Sequence, residues 1–133
     1  MNVTDTLQGL RVLIAEDNWI IGESLREILV GLGCVAMGPV AELDEVMSAI
    51  EAGGFDAALL DIHLGDANIL PAAAELASRE IPFILTTGGR SPGCLPALLA
   101  RAPCLSKPFD AQRLEKAMAA AFLPRAGPAP TGR

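Results

Sequence analysis

Short apolar runs alternate along the chain with stretches whose apolar residues recur at helical spacing. Residues 11–15 (Arg-Val-Leu-Ile-Ala) open the series, and a run this short and continuous predicts a strand buried on both faces. Ile21, Leu25, Ile28 and Leu32 then follow a helical period, with Asn18 or Asp17 placed to cap the helix and Gly31 and Gly33 to end it. Residues 34–37 predict a second strand closed by Gly38-Pro39, and Leu43, Val46, Met47 and Ile50 a second helix ended by Gly53-Gly54. The third strand, 55–60, runs into Asp61, with Gly65 in the loop beyond. A helix from about residue 68 to 78 tolerates Pro71 because its first turn needs no N–H there. The fourth strand, 81–87, ends on hydroxyls and Gly88-Gly89. Pro92, Gly93 and Pro96 weaken any helix ahead of residues 97–100. Residues 103–106 predict a fifth strand, and Asp110 caps a last helix carrying Leu114, Ala117, Met118 and Ala121. From Pro124 onward Pro, Gly and Ala dominate without a period, which predicts a frayed tail.

Five β–α units in succession imply an α/β fold, a doubly wound parallel sheet of flavodoxin-like (βα)5 type with strand order 2-1-3-4-5. The expected layout is an N-terminal extension over residues 1–9, one domain over 10–123 and a flexible tail over 124–133. At 133 residues, 51% of them hydrophobic, the chain can bury a sizeable core without disulfides or structural metal. A formal charge of −6 disfavours direct DNA binding, which needs a basic face. Cys34, Cys94 and Cys104 are an odd number without paired spacing, as expected of a reduced protein whose cysteines are ordinary buried residues. Residues 1–8 lack the charged start and apolar core of a leader, and no apolar run reaches membrane-spanning length. The expected compartment is the cytoplasm.

The polar residues at the strand ends carry the candidate chemistry. In the 2-1-3-4-5 order, strands 1 and 3 are neighbours at the switch point, which brings Glu16, Asp17 and Asp61 to one edge with Thr87 and Lys107 facing them. Three carboxylates at close quarters repel one another unless a cation joins them. Oxygen-only ligands select a hard ion such as Mg²⁺, which keeps waters and accepts a phosphate oxygen. A lysine beside it neutralises a phosphoryl group as a point charge. Singly, each signal has a plain alternative: Asp17 alone is as well explained as a helix cap, and the ring of His63 has no second His or Cys to share a metal with. Trp19 reads as helix-surface packing, and Gly88-Gly89 is too short for a phosphate-cradling loop.

Together, Glu16-Asp17, Asp61 at the end of strand 3, Thr87-Gly88 after strand 4 and Lys107-Pro108-Phe109 after strand 5 resemble the receiver domain of bacterial two-component response regulators. The resemblance spans residues 10–122. It implies that Asp61 accepts a phosphoryl group from a sensor histidine kinase or phosphotransfer protein. It also implies that Asp17 ligates Mg²⁺ directly, that Glu16 does so directly or through water, and that the backbone carbonyl of His63 supplies a further ligand. Lys107 would contact the phosphoryl group, Thr87 would swing to hydrogen-bond it, and Pro108 would follow a cis peptide bond. Residues 82–89 resemble the Phe-Ala-Thr-Gly-Gly/Tyr-Tyr signature of single-domain alphaproteobacterial regulators, from which Leu85, Thr86 and Arg90 depart. Cys104 stands where most receivers carry the aromatic that rotates inward with the threonine, so the segment beyond Gly89 is expected to carry the signal by ordering on phosphorylation. The function implied is phosphorylation-dependent protein–protein interaction, as a switch, a shuttle or a phosphate sink, with an unknown downstream protein. The alternative is a small Mg²⁺-dependent aspartyl-phosphate hydrolase, which needs a cap and a second Asp where this chain has His63.

Overall fold

The computed structural model describes residues 7–88, 97–107 and 110–126. Its sheet contains β1 (Arg11–Ala15), β2 (Val35–Val40), β3 (Ala57–Asp61), β6 (Phe83–Thr87) and β7 (Cys104–Ser106). Between them lie α1 (Trp19–Gly31), α2 (Leu43–Ala52), α3 (Leu70–Ser78) and α4 (Ala97–Arg101), and α5 (Ala111–Ala126) follows β7. A two-stranded hairpin, β4 (His63–Leu64) and β5 (Ala67–Asn68), occupies what the sequence reads as a loop. The sheet is parallel throughout, in the order β2-β1-β3-β6-β7. The expected order 2-1-3-4-5 did not count the hairpin strands, which separate the third and fourth strands of the sheet along the chain.

Alternation along each strand sends side chains to two apolar layers. Leu13, Ala58, Leu60 and Leu85 meet Val46, Ile50, Ala72, Ala73, Leu76 and Leu99 from α2, α3 and α4. On the opposite face Val12, Ile14, Leu59, Ile84 and Leu105 meet Leu25 and Leu29 of α1 and Leu114, Met118 and Phe122 of α5. Leu7, assigned from sequence to the N-terminal extension, belongs to this second layer and is fully buried. It is tied there by a Gly9 N–H bond to the Gly33 carbonyl and a Cys34 Sγ contact to the Leu7 carbonyl.

Two boundaries differ from the sequence reading for physical reasons. Strand β2 does not stop at Gly38-Pro39 but passes through it to Val40. Its pairing shifts from Leu13↔Met37 to Ala15↔Val40, so one extra residue is accommodated as a bulge. The missing N–H of Pro39 is tolerable because β2 is a sheet edge. Gly38 sits at φ 100°, where a Cβ would lie 2.8 Å from the Ile14 carbonyl oxygen, so a glycine is required. Helix α5 extends to Ala126, three residues past the expected end of the domain, and residues 127–133 lie outside the described residues. No helix among the described residues is long and apolar enough to cross a membrane.

Candidate functional site

Register brings the candidate residues together. Ala15 pairs with Leu60, so the residues that follow, Glu16 and Asp61, leave β1 and β3 at the same level. Asp61 pairs with Thr86 of β6, and Thr87 pairs with Ser106 of β7. Lys107 comes next, its N–H donating to the Thr87 carbonyl at 2.8 Å. All these residues lie at the carboxyl end of the sheet, beside the switch between β1 and β3.

Glu16 and Asp61 are almost wholly buried, at 2% and 3% exposure, whereas Asp17 faces solvent. One carboxylate oxygen from each lies within 4.8 Å of the others. Lys107 stands between two of them, with Nζ 2.8 Å from Glu16 Oε1 and 3.0 Å from Asp61 Oδ2. Backbone donors hold three further oxygens: Asn18 N–H to Glu16 Oε2 at 3.1 Å, His63 N–H to Asp61 Oδ1 at 2.9 Å and Gly65 N–H to Asp17 Oδ2 at 3.0 Å. Glu16 Oε1 is buried with no hydrogen-bond partner among the described residues, so its contact with Lys107 is one of charge rather than of an aligned bond.

The electrostatics follow from that packing. Burial raises the Glu16 carboxyl above its ordinary range, and the neighbouring Asp61 charge adds to this. The Lys107 ammonium and the Asn18 N–H pull the other way without cancelling it. Burial would lower Lys107, but its hydrogen bond with Asp61 and its close contacts with the Glu16 and Asp61 carboxylates outweigh that and hold it above its usual value. One ammonium therefore serves two buried carboxylates, with a third at the rim. A buried Glu16 oxygen that accepts no aligned hydrogen bond, beside two further carboxylates, is a donor set that fits a hard divalent cation.

The structure thus brings Glu16, Asp17, Asp61, Thr87 and Lys107 to one sheet end. Thr87 is buried at 4% exposure, and His63 opens the β4 hairpin with its side chain exposed. The expected cis bond before Pro108 and the segment 89–96 lie outside the described residues; among those described, the cis bond is Gly38–Pro39. Cys104 is exposed, which corrects the expectation that the cysteines are buried; in the three-residue strand β7 only the middle residue, Leu105, turns into the core. Asn18 rather than Asp17 caps α1, accepting from Ile20 and Ile21 N–H, which leaves the Asp17 carboxylate for the site. Sequence reasoning missed the Gly65 bond to Asp17. Its signal was the glycine four residues after Asp61, at φ 59° in the turn of the hairpin.

Comparison with protein-family models finds no match, and comparison with curated proteins finds none either. Among solved structures, SdrG from Sphingomonas melonis is 34% identical, with a TM-score of 0.73 over 90% of this chain and 98% of that one. The BeF3-activated conformation of SdrG aligns at 36% identity, with a TM-score of 0.68 over 83% of this chain and 93% of that one. A response regulator receiver protein from Burkholderia phymatum is 26% identical, with a TM-score of 0.67 over 84% of this chain and 93% of that one. The receiver domain of a sensor histidine kinase from Pseudomonas aeruginosa was solved with magnesium coordinated in its active site cleft. At 24% identity it speaks for the fold alone, with a TM-score of 0.74 over 87% of this chain and 98% of that one.

Proposed function

Because this chain belongs to the response-regulator receiver domains, we propose that it is a phosphoacceptor switched by transfer of a phosphoryl group to Asp61. The donor is a histidine kinase or a phosphotransfer protein carrying phosphohistidine. A carboxylate oxygen of Asp61 attacks phosphorus, the phosphorus–nitrogen bond breaks, and its electron pair leaves with the imidazole, giving an acyl phosphate on Asp61. The observation that carries this reading is the buried Glu16–Lys107–Asp61 arrangement, with Asp17 at its rim.

Each residue has a task set by its position. The His63 N–H fixes one Asp61 oxygen and so orients the carboxylate. Lys107, already 3.0 Å from the other, is placed to follow the negative charge as it moves onto the phosphoryl oxygens. Thr87, one residue beyond the partner of Asp61, supplies a hydroxyl for the phosphoryl group. Glu16, Asp17 and Asp61 would hold Mg²⁺, with the His63 carbonyl as a further ligand. When bound, the ion neutralises carboxylates and phosphoryl oxygens in a site that is otherwise too negative.

The product acts in the cytoplasm by protein–protein interaction, as a switch, a shuttle or a phosphate sink. It does not act as a turnover hydrolase, since His63 occupies the position where that chemistry needs a second aspartate. Kinship with the alphaproteobacterial single-domain subfamily is the narrower reading, supported by the Thr87-Gly88-Gly89 run.

The test is phosphorylation by acetyl phosphate. The wild type with Mg²⁺ should gain one phosphoryl group by intact mass, and Asp61→Asn should gain none. Equal incorporation in the two proteins would remove Asp61 as the acceptor.

A further inference from the structure

Gly22 lies inside α1, where a glycine weakens a helix relative to alanine, and nothing in the phosphoryl chemistry uses it. It is buried, and the reason for its size lies across the helix–sheet contact. A Cβ on Gly22 would come within 2.6 Å of Pro39 Cγ and 2.8 Å of Pro39 Cβ, and 3.7 Å from Glu16 Cγ. A proline ring is tied to its own backbone and cannot swing aside, so a side chain here must move the first turn of α1 away from the end of β2.

That turn is bonded to Glu16, and Glu16 in turn to the end of β2. The Gly22 N–H donates to the Asn18 carbonyl at 2.9 Å, and the Asn18 N–H donates to Glu16 Oε2 at 3.1 Å. The Glu16 N–H donates to the Val40 carbonyl at 3.0 Å, one residue beyond Pro39. Glu16 is therefore held between the start of α1 and the end of β2, the two elements that meet at Gly22 and Pro39. Gly31, near the other end of the same helix, has open space where its Cβ would be.

We propose that the Gly22–Pro39 contact is a positioning seat for Glu16 and Asp17, setting their carboxylates at the spacing a divalent cation requires. The inference rests on reading this acid cluster as a cation site. A side chain at position 22 removes no ligand and touches neither Asp61 nor Lys107; it shifts the helix that carries the Asn18 donor. Residues that orient a metal ligand without binding the metal typically change affinity by 10–100-fold. Cation affinity should therefore fall, while the chemistry at saturating cation should survive.

The experiment compares wild type, Gly22→Ala and Gly31→Ala. Mg²⁺ affinity is read from Trp19 fluorescence, and the rate of acetyl phosphate labelling is read at saturating Mg²⁺. Gly22→Ala should bind Mg²⁺ on the order of tenfold more weakly, with a saturated labelling rate within about twofold of wild type. Gly31→Ala should match wild type in both. In the wild type, the Gly22 and Val40 amide resonances should also shift with Mg²⁺ on the same isotherm as Gly65, while Gly31 stays still. This last measurement needs no substituted protein to fold. Unchanged Mg²⁺ affinity in folded Gly22→Ala, or Gly22 and Val40 resonances that ignore Mg²⁺, would overturn the proposal and leave the cation site standing. A wild type that shows no Mg²⁺ response by either readout would overturn both.

Discussion

Single side chains in this protein are governed by whether burial leaves them a partner. Glu16 and Asp61 share the Lys107 ammonium, and Arg11 and Asp56 form an exposed pair at 3.2 Å, which contributes little in water. Cys34 has the opposite setting: it is buried, and burial pushes its thiol up to about 11. An acid whose folded value is raised binds its proton more tightly when folded than when unfolded. The stability it lends is fully present below the unfolded thiol value of ~8.5 and is lost as pH rises toward about 11. The thiolate also could not donate to the Leu7 carbonyl. Wild type should therefore lose stability between those values in urea titrations, with a steeper pH dependence than Cys34→Ala. Equal slopes in the two proteins would show that Cys34 does not titrate in that window.

At the level of elements, the site depends on irregularities more than on regular strands. The bulge at Gly38–Pro39 turns the end of β2 so that the Val40 carbonyl can receive the Glu16 N–H. The β4–β5 hairpin returns Gly65 to Asp17, and the Asn18 cap starts α1 directly after the acid pair. Each device sets a backbone group against one of the two acids, the bulge at the Glu16 N–H and the other two at carboxylate oxygens. Gly38→Ala tests the first of them. A side chain at φ 100° is strained, and its Cβ would press on the Ile14 carbonyl and the Val40 N–H. Strain of this type costs on the order of 1–3 kcal/mol, and the close contacts add to it. We expect Gly38→Ala to lower the unfolding free energy by about 2–3 kcal/mol in chemical denaturation. A loss below about 0.5 kcal/mol, the range of neutral surface changes, would show that the bulge tolerates a side chain.

For the molecule as a whole, two apolar layers clamp the sheet, and the second reaches back to Leu7. Leu7→Ala should lower stability by about 2–5 kcal/mol, the usual effect of emptying a buried leucine site. An effect near zero would show that Leu7 leaves the core in solution. The five β–α units, the parallel sheet and the residues at its carboxyl edge were legible in sequence. Buried strands must be apolar throughout, helices must keep their period, and polar residues survive at strand ends because those ends open into a crevice. The pairing register of β1, β3, β6 and β7 then made neighbours of residues up to 91 positions apart, as with Glu16 and Lys107. What the sequence could not show was held by contacts between elements. Leu7 looked like an extension because one leucine has no period. Gly38-Pro39 looked like a stop because only an edge strand admits a proline. Cys104 looked buried because the exposure of a three-residue strand depends on what covers it. Gly22 carries no signal of its own in the sequence, and its size has a reason only with Pro39 opposite it. Local pattern sets the elements and the ends where chemistry can sit, whereas distances within the site come from packing between segments far apart in the chain, which no local pattern encodes.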